Sequence, residues 1–230
     1  MATRPIFIPN TTIKGLVEEK SISFEWHAGF AISQAQKSIQ ALHQEAKLLG
    51  FYPILEISSK SPERLGVQLS AFNLILQYKG QDFTVEAAYQ GSKVFENGGP
   101  FTDIYSLTSK EAKQDLRLKS HGKLVRFNLF GLIWELEPTP SFYDWLYIQA
   151  VTQNKQLSNF LPQYSAFSDI VFNPVKSFSC QARAAAMYVA LAKADKLGTG
   201  IGKPDKFRAL YVTETGISQD GRAYEQSSLL

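Results

Sequence analysis

Glu86, Gln90 and Lys93 place a carboxylate, an amide and an amine at i, i+4 and i+7 of FTVEAAYQGSKVFENGG, the stretch from Phe83 to Gly99. On one helix these three share a stripe with Tyr89 and Asn97, while Val85, Ala88 and Phe95 point to the other side. Carboxylate-plus-lysine chemistry is what such a set could do, with Glu86 moving protons. The direction is open, because a first-turn position lowers a carboxyl pKa by the helix dipole whereas burial raises it. The same spacing also describes a solvated polar seam. By spacing alone that is the commoner meaning, and an exposed pair of this kind is worth no more than ~1 kcal/mol. Solvated face or wall of a site is therefore the question the letters pose.

Other chemistries are missing from the text. Three scattered histidines and one cysteine give no metal-ligand spacing, and there is no phosphate loop, dinucleotide glycine fingerprint or nucleophile elbow. Neither a metal nor a cofactor is expected. With 24 Lys+Arg against 21 Asp+Glu the formal charge is only +3, so any nucleic-acid contact must come from a local patch. No apolar run approaches the roughly 18 residues that span a bilayer. The opening MATRPIFIPNTT lacks a secretory apolar core and lone Cys180 cannot form an intramolecular disulfide, so a cytoplasmic protein with no membrane partner is expected.

The elements that must position the set read as follows. Strands are expected at Pro5 to Pro9 and Ile22 to Trp26, then a helix from a Ser33–Gln36 capping box to Gly50, with Ile39, Leu42 and Ala46 inward and His43 half-buried and satisfied. Tyr52 to Ser58 reads as a strand. SKSPERLG leads into a short helix with Ser61 as cap and Pro62 at its first position, so Lys60 and Arg64 flank a helix start that could hold a phosphate or be plain surface charge. Gln68 to Tyr78 is a strand candidate, Lys79-Gly80 a turn, Thr84 the cap of the Glu86 helix and Asn97-Gly98-Gly99-Pro100 its stop.

Thr108 with Glu111 opens a charged helix through about Lys119, and Lys123 to Phe127 with Leu132 to Leu136 forms a hairpin. The helix after Thr139-Pro140 carries Phe142, Trp145 and Tyr147, which suit core packing better than a stacking wall. Ala166 to Phe172 is a strand. The alanine-rich helix Cys180 to Lys196 buries its cysteine as a small core residue and leaves Gln181 and Arg183 in need of partners, an anionic ligand being one candidate for Arg183. A strand-like run at Arg208 to Thr213 and a loosely held end after about 214 complete a single domain over 1–230. The fold class is α+β, several helices around a small, largely antiparallel sheet.

LSAFNL, YKGQDFT and VEAAYQGSK, in that order, resemble the NADAR superfamily, in which an "SNF"-like segment and a turn into a threonine precede Glu, Gln and Lys on one helix. QKSIQALH, LEISSKSPE, KVFENGGP and FYDWLYI resemble one branch more closely, the NADAR antitoxins paired with DarT-type toxins that ADP-ribosylate guanine in DNA. The likeness runs from Trp26 to Ala192. It departs from the riboflavin-pathway N-glycosidases of the superfamily, whose Gly-Asn-rich segment is replaced here by NPVKSFSCQARAAAMYVAL.

What the resemblance implies is N-glycosidic removal of ADP-ribose from guanine. Lys93 would attack the anomeric carbon and pass through a Schiff base that water hydrolyses, which needs a neutral amine. Glu86 would move protons and Gln90 would orient a ribose hydroxyl. Asn73 and Tyr89 would bind ligand, Lys60 and Arg64 the diphosphate, and Arg183 would be a weaker candidate. The partners implied are ADP-ribosylated DNA or guanosine and a DarT-type toxin. Two alternatives remain: an N-glycosidase on a phosphorylated riboflavin-pathway intermediate, and a non-catalytic module that binds ADP-ribose or the toxin.

Overall fold

A computed structural model of the chain describes residues 1–175, 177–198 and 203–211. It opens on β1 (Ala2–Pro9) and β2 (Val17–Phe24), each longer than its apolar centre. Helix α1 (Ile32–Leu48) is capped by Ala31 with no side-chain bond, so the Ser33–Gln36 box does not form and the helix begins before it. Its inward side is Ser38, Ile39, Leu42 and Ala46, the stripe its periodicity predicts. The strand expected from Tyr52 shrinks to β3 (Ile54–Glu56). Next comes α2 (Arg64–Gln68), capped from Glu63; the Ser61 hydroxyl accepts from the Glu63 N–H one turn earlier.

Gln68 to Tyr78 is not one strand. Residues 69–74 coil, with the Asn73 and Leu74 N–H groups both donating to the Ser70 carbonyl, and only β4 (Ile75–Tyr78) is extended. It pairs with β5 (Gln81–Thr84) around Lys79 and Gly80, both at positive φ. Thr84 then caps α3 (Val85–Gly91), its hydroxyl accepting from the Ala87 N–H at 3.2 Å. The helix expected to reach Asn97 ends at Gly91, and Lys93 lies on a strand, β6 (Lys93–Phe95). A 3-10 turn at Thr102–Ser106 precedes α4 (Ser109–Gln114), whose capping box from Thr108 and Glu111 is complete. Asp115 then interrupts the charged helix by accepting from the Arg117 N–H and guanidinium, and α5 (Arg117–Ser120) follows. The hairpin of β7 (Leu124–Leu129) and β8 (Leu132–Trp134) is as expected.

After it come α6 (Ser141–Gln153), α7 (Lys155–Ser158), β9 (Ala166–Ser168), α8 (Gln181–Lys193) and α9 (Pro204–Arg208). The strand-like run from Arg208 is thus corrected: Pro204 and Asp205 favour a helical first turn, which carries through Arg208. Residues 209–211 continue it as a turn, while Val212, Thr213 and the end after 214 lie outside the described residues.

Among the described residues three sheets form, mixed with helices as an α+β fold. The largest has the order β2-β1-β9-β3, antiparallel except for the β3–β9 pair. Strand alternation divides its side chains. Ile6, Ile22, Phe24, Ile54 and Ala166 pack in one cluster with Ile39, Leu42 and Ala46 of α1, while Phe7, Leu55 and Phe167 join the main core with α6 and α8. α6 is buried nearly all round, Phe142, Trp145 and Tyr147 included, which settles that aromatic run as core. Helix α2 covers the free edge of β3 at Gly66, where an added Cβ would stand 1.9 Å from the Glu56 carbonyl oxygen.

Gly91 marks the helix-to-strand change. A Cβ there would meet the Tyr105 ring at 2.5 Å, and that ring is buried in the main core. Gly91→Ala is expected to cost about 1–3 kcal/mol through overpacking, read as a lowered urea midpoint with an unchanged m-value.

Candidate active site

The segment 69–74 is stapled to the start of α3. The Val85 N–H donates to the Leu74 carbonyl and the Glu86 N–H to the Ala71 carbonyl, each at 3.0 Å. Ser109 fastens the same corner from α4, its hydroxyl lying 2.7 Å from Thr84 Oγ1 and 2.9 Å from the Phe72 carbonyl oxygen. Helix α3 is therefore enclosed on every side, and all seven of its residues are buried. Glu86 is 6% exposed and Gln90 7%. That excludes a solvated seam for these two side chains.

Gln90 Nε2 donates to Glu86 Oε1 at 2.9 Å, which fixes both groups. The opposite amide oxygen, Gln90 Oε1, is buried without a hydrogen-bond partner among the described residues. An unmatched buried acceptor costs roughly 1–3 kcal/mol, so its retention points to a donor supplied from outside, a substrate hydroxyl or a water.

Lys93 reaches this corner from β6, not from the helix. Register places Lys93 opposite Phe127 of β7, and the Asn128 N–H takes the Ser92 carbonyl at 2.7 Å, so the β7 edge draws Lys93, Val94 and Phe95 out of the helix. The ammonium sits 4.9 Å from the centre of the Tyr89 ring. Burial lowers the Lys93 pKa to about 8, the Glu86 charge opposing and the Lys113 charge assisting. Glu86 and Lys93 thus feel each other's charge, yet no ion pair joins them among the described residues.

Aromatic rings and a carboxylate close the corner, and sequence reasoning missed most of them. Tyr89, 8% exposed, packs edge-on to Tyr143 at 5.1 Å and sets its hydroxyl 3.2 Å from Ser179 Oγ. Tyr143 is buried, and its phenol is pushed well above the ordinary value by burial and then by the Glu86 charge, so it stays protonated beside that carboxylate. Asp169 follows β9 at the carboxyl end of the parallel pair, where crevices form in such sheets. Its carboxylate accepts from Gln181 Nε2 and from the Val171 and Phe172 N–H groups, and its charge also reaches Tyr143. Gln181 is thereby satisfied, and it also bonds the Ile57 carbonyl and the Ala71 N–H.

Behind Asp169 lies Glu56, 1% exposed, bonded by the Ser168 hydroxyl and the Ile170 N–H. Burial raises both carboxyl pKa values and the Asp169 charge raises that of Glu56 further, so the pair holds a proton where isolated carboxylates have lost theirs. The Ser168 hydroxyl also meets His43 Nε2 at 2.8 Å, and burial lowers the His43 pKa to about 4. His43 is the satisfied, half-buried histidine expected. A charged letter inside the apolar run YPILEIS was the one sequence signal for Glu56.

The remaining sequence candidates are dispersed. Asn73 is exposed, with its amide spent on the Val67 carbonyl at 2.9 Å. Lys60 lies before α2 and Arg64 is its first residue, and no hydrogen bond or ion pair ties either to α3 among the described residues. Lys113 of α4, exposed, is a cation whose field reaches both Lys93 and Asp169. Arg183 pairs with fully buried Asp144, whose other partner is the Tyr211 hydroxyl at 2.6 Å. Asn97 sits in the turn after β6, on no helix, its N–H donating to the His121 carbonyl at the end of α5. Cys180 is buried at the start of α8, and burial pushes its thiol well above the ordinary value.

Among the described residues no group of His, Cys, Asp and Glu could hold a metal ion, and no helix is long and apolar enough to cross a membrane. No curated protein matches the sequence. A family model does, that of the DarT1-associated NADAR antitoxins, over residues 2–220. With a match over nearly its whole length, and Glu, Gln and Lys gathered at one shielded corner, the chain belongs to the DarT1-associated NADAR antitoxin family.

Proposed function

We propose that the protein is a hydrolase that removes ADP-ribose from guanine in DNA, reversing the modification made by a DarT-type toxin. The observation that carries this reading is Lys93: a shielded amine with its pKa lowered to about 8, in the field of a buried carboxylate with which it forms no ion pair among the described residues. An amine with that pKa is neutral in roughly a tenth of molecules at pH 7, against fewer than about one in a thousand for an ordinary lysine.

The neutral Lys93 Nζ adds to the anomeric carbon of the ADP-ribose, and the bond from that carbon to the guanine nitrogen breaks. The Glu86 carboxylate takes a proton from the lysine nitrogen and passes it to the departing guanine nitrogen. The bond from the anomeric carbon to the ring oxygen then breaks, the oxygen taking a proton from solvent, and a protonated imine is left on Lys93. Water adds to it, Glu86 accepting the proton, and collapse returns the free amine and ADP-ribose. Gln90 Oε1 takes the donor it lacks from a ribose hydroxyl, and neutral Tyr143 steadies the Glu86 charge. Lys113 meets the diphosphate; Lys60 and Arg64 serve it less well from their side of α2.

Two features favour this over the alternatives. A binding module needs no lysine held partly neutral, and the matched branch is the DarT1-associated one, not the riboflavin-pathway one. The test is release of ADP-ribose from guanine-ADP-ribosylated DNA across pH. kcat/KM should climb about tenfold per unit below pH 8 and level off above it, since only the deprotonated amine attacks. Release that is flat from pH 6 to 9, or hydrolysis of a phosphorylated riboflavin precursor alone, would remove the reading.

A further inference from the structure

On the opposite, α1 side of the four-stranded sheet lies a cavity of about 970 Å3 to which the chemistry above assigns nothing. Helix α1 forms one wall with Gln36, Gln40 and Gln44, at i, i+4 and i+8 on a single stripe, flanked by Lys37 and Lys47. None of the three amides has a hydrogen-bond partner among the described residues, so each presents both a donor and an acceptor. Tyr52 adds a ring that is 67% exposed, with the Lys47 ammonium 4.7 Å from its centre. Tyr164 and Glu63 form the far lip, where the tyrosine hydroxyl donates to the carboxylate at 2.7 Å.

These are the parts of a nucleotide site. Amide side chains match the paired donor and acceptor edges of bases, an exposed tyrosine gives a stacking surface, and two lysines at the rim answer a phosphate backbone. The single acidic side chain of the lining is held by Tyr164, and against it the two lysines leave one positive charge in excess. The position also fits. From Glu63 at the lip, α2 runs along the β3 edge to Ala71, whose carbonyl receives the Glu86 N–H. That segment spans at most roughly 20 Å, and its outer surface carries exposed Arg64.

We infer that this cavity holds nucleotides of the single DNA strand flanking the modified guanine, so that the strand runs from the α1 wall along α2 to the Lys93 corner. The inference rests on the reading of the substrate as DNA. Its test does not need turnover.

Binding of an unmodified, fluorescently labelled single strand of about 15 nucleotides is followed by anisotropy with the full chain over a salt series. The wild type should bind with clear salt dependence. Lys37→Gln/Lys47→Gln should weaken binding about tenfold at about 50 mM salt and make the log–log salt slope shallower by about 1.4, two strand phosphates at about 0.7 each. Tyr52→Ala should weaken binding about tenfold with no change in slope. Lys155→Gln, an exposed charge on α7, should change nothing.

No binding by the wild type, variants that bind as the wild type does, or AMP binding as tightly as the strand would each overturn the inference. Strand binding with this pattern but no ADP-ribose release from modified DNA would keep the cavity assignment and sink only the hydrolase reading.

Discussion

Lys93→Ala is expected to lower kcat for ADP-ribose release by at least about a thousandfold while the protein stays folded. The size follows from losing the attacking group outright, which no neighbour can replace: Lys113 is exposed on α4, and Glu86 is held by Gln90. The fold should tolerate the change. Lys93 is half-buried with its ammonium over an aromatic face, and removing a partly desolvated charge offsets the lost packing of its stem. Lys93→Arg separates nucleophile from charge, since a guanidinium stays protonated and cannot attack. Equal loss in both variants, with thermal midpoints within a few degrees of wild type, is the expected pattern. Glu86→Gln should lower kcat less, by about a hundredfold. It should also shift the Lys93 pKa below 8, because the Glu86 charge is the influence that raises it.

The second large effect is on stability. Arg183→Ala would leave Asp144 without its cation at 0% exposure, with the Tyr211 hydroxyl as its hydrogen-bond partner among the described residues, at 2.6 Å. Breaking a buried pair from one side costs about 3–5 kcal/mol, roughly 10 °C in thermal midpoint for a chain of this size. Arg183→Met/Asp144→Asn should recover much of that, because it removes both charges together. From the sequence alone Arg183 is also a candidate for an anionic ligand. A ligand role would instead leave the midpoint unchanged and raise KM, so the two measurements separate ion pair from ligand contact.

Legibility in the sequence followed the range of the interactions. The Thr108–Glu111 capping box, the Thr84 cap, the Lys79-Gly80 turn and the inward stripe of α1 depend on neighbours within a few residues, and each was readable. The end of α3 was not. VEAAYQGSKVFEN has helical spacing throughout, and what stops the helix is the β7 edge some thirty residues on, together with the Tyr105 ring over Gly91. Glu86, Gln90 and Lys93 were identified as a set by residue type and motif order, but their periodicity put Lys93 on the wrong element.

Asp169 and Tyr143 stayed hidden for the same reason. Asp169 belongs to the corner because β9 pairs with β3, more than a hundred residues away, and it was absorbed into a strand run to Phe172. The coil at 69–74 was masked by an apolar run that serves α3 packing and not a sheet. Ser61 and Ser33, both good capping letters, lost to backbone geometry set elsewhere.

The central claim is that Lys93 bonds covalently to the sugar. Guanine-ADP-ribosylated DNA is mixed with the full chain and borohydride, and the digested protein is weighed peptide by peptide. The account predicts a reduced ADP-ribose adduct on the peptide holding Lys93, its yield rising as pH passes 8, and none in Lys93→Ala. Rapid ADP-ribose release with no trapped adduct on Lys93, or turnover that survives Lys93→Ala, would contradict it.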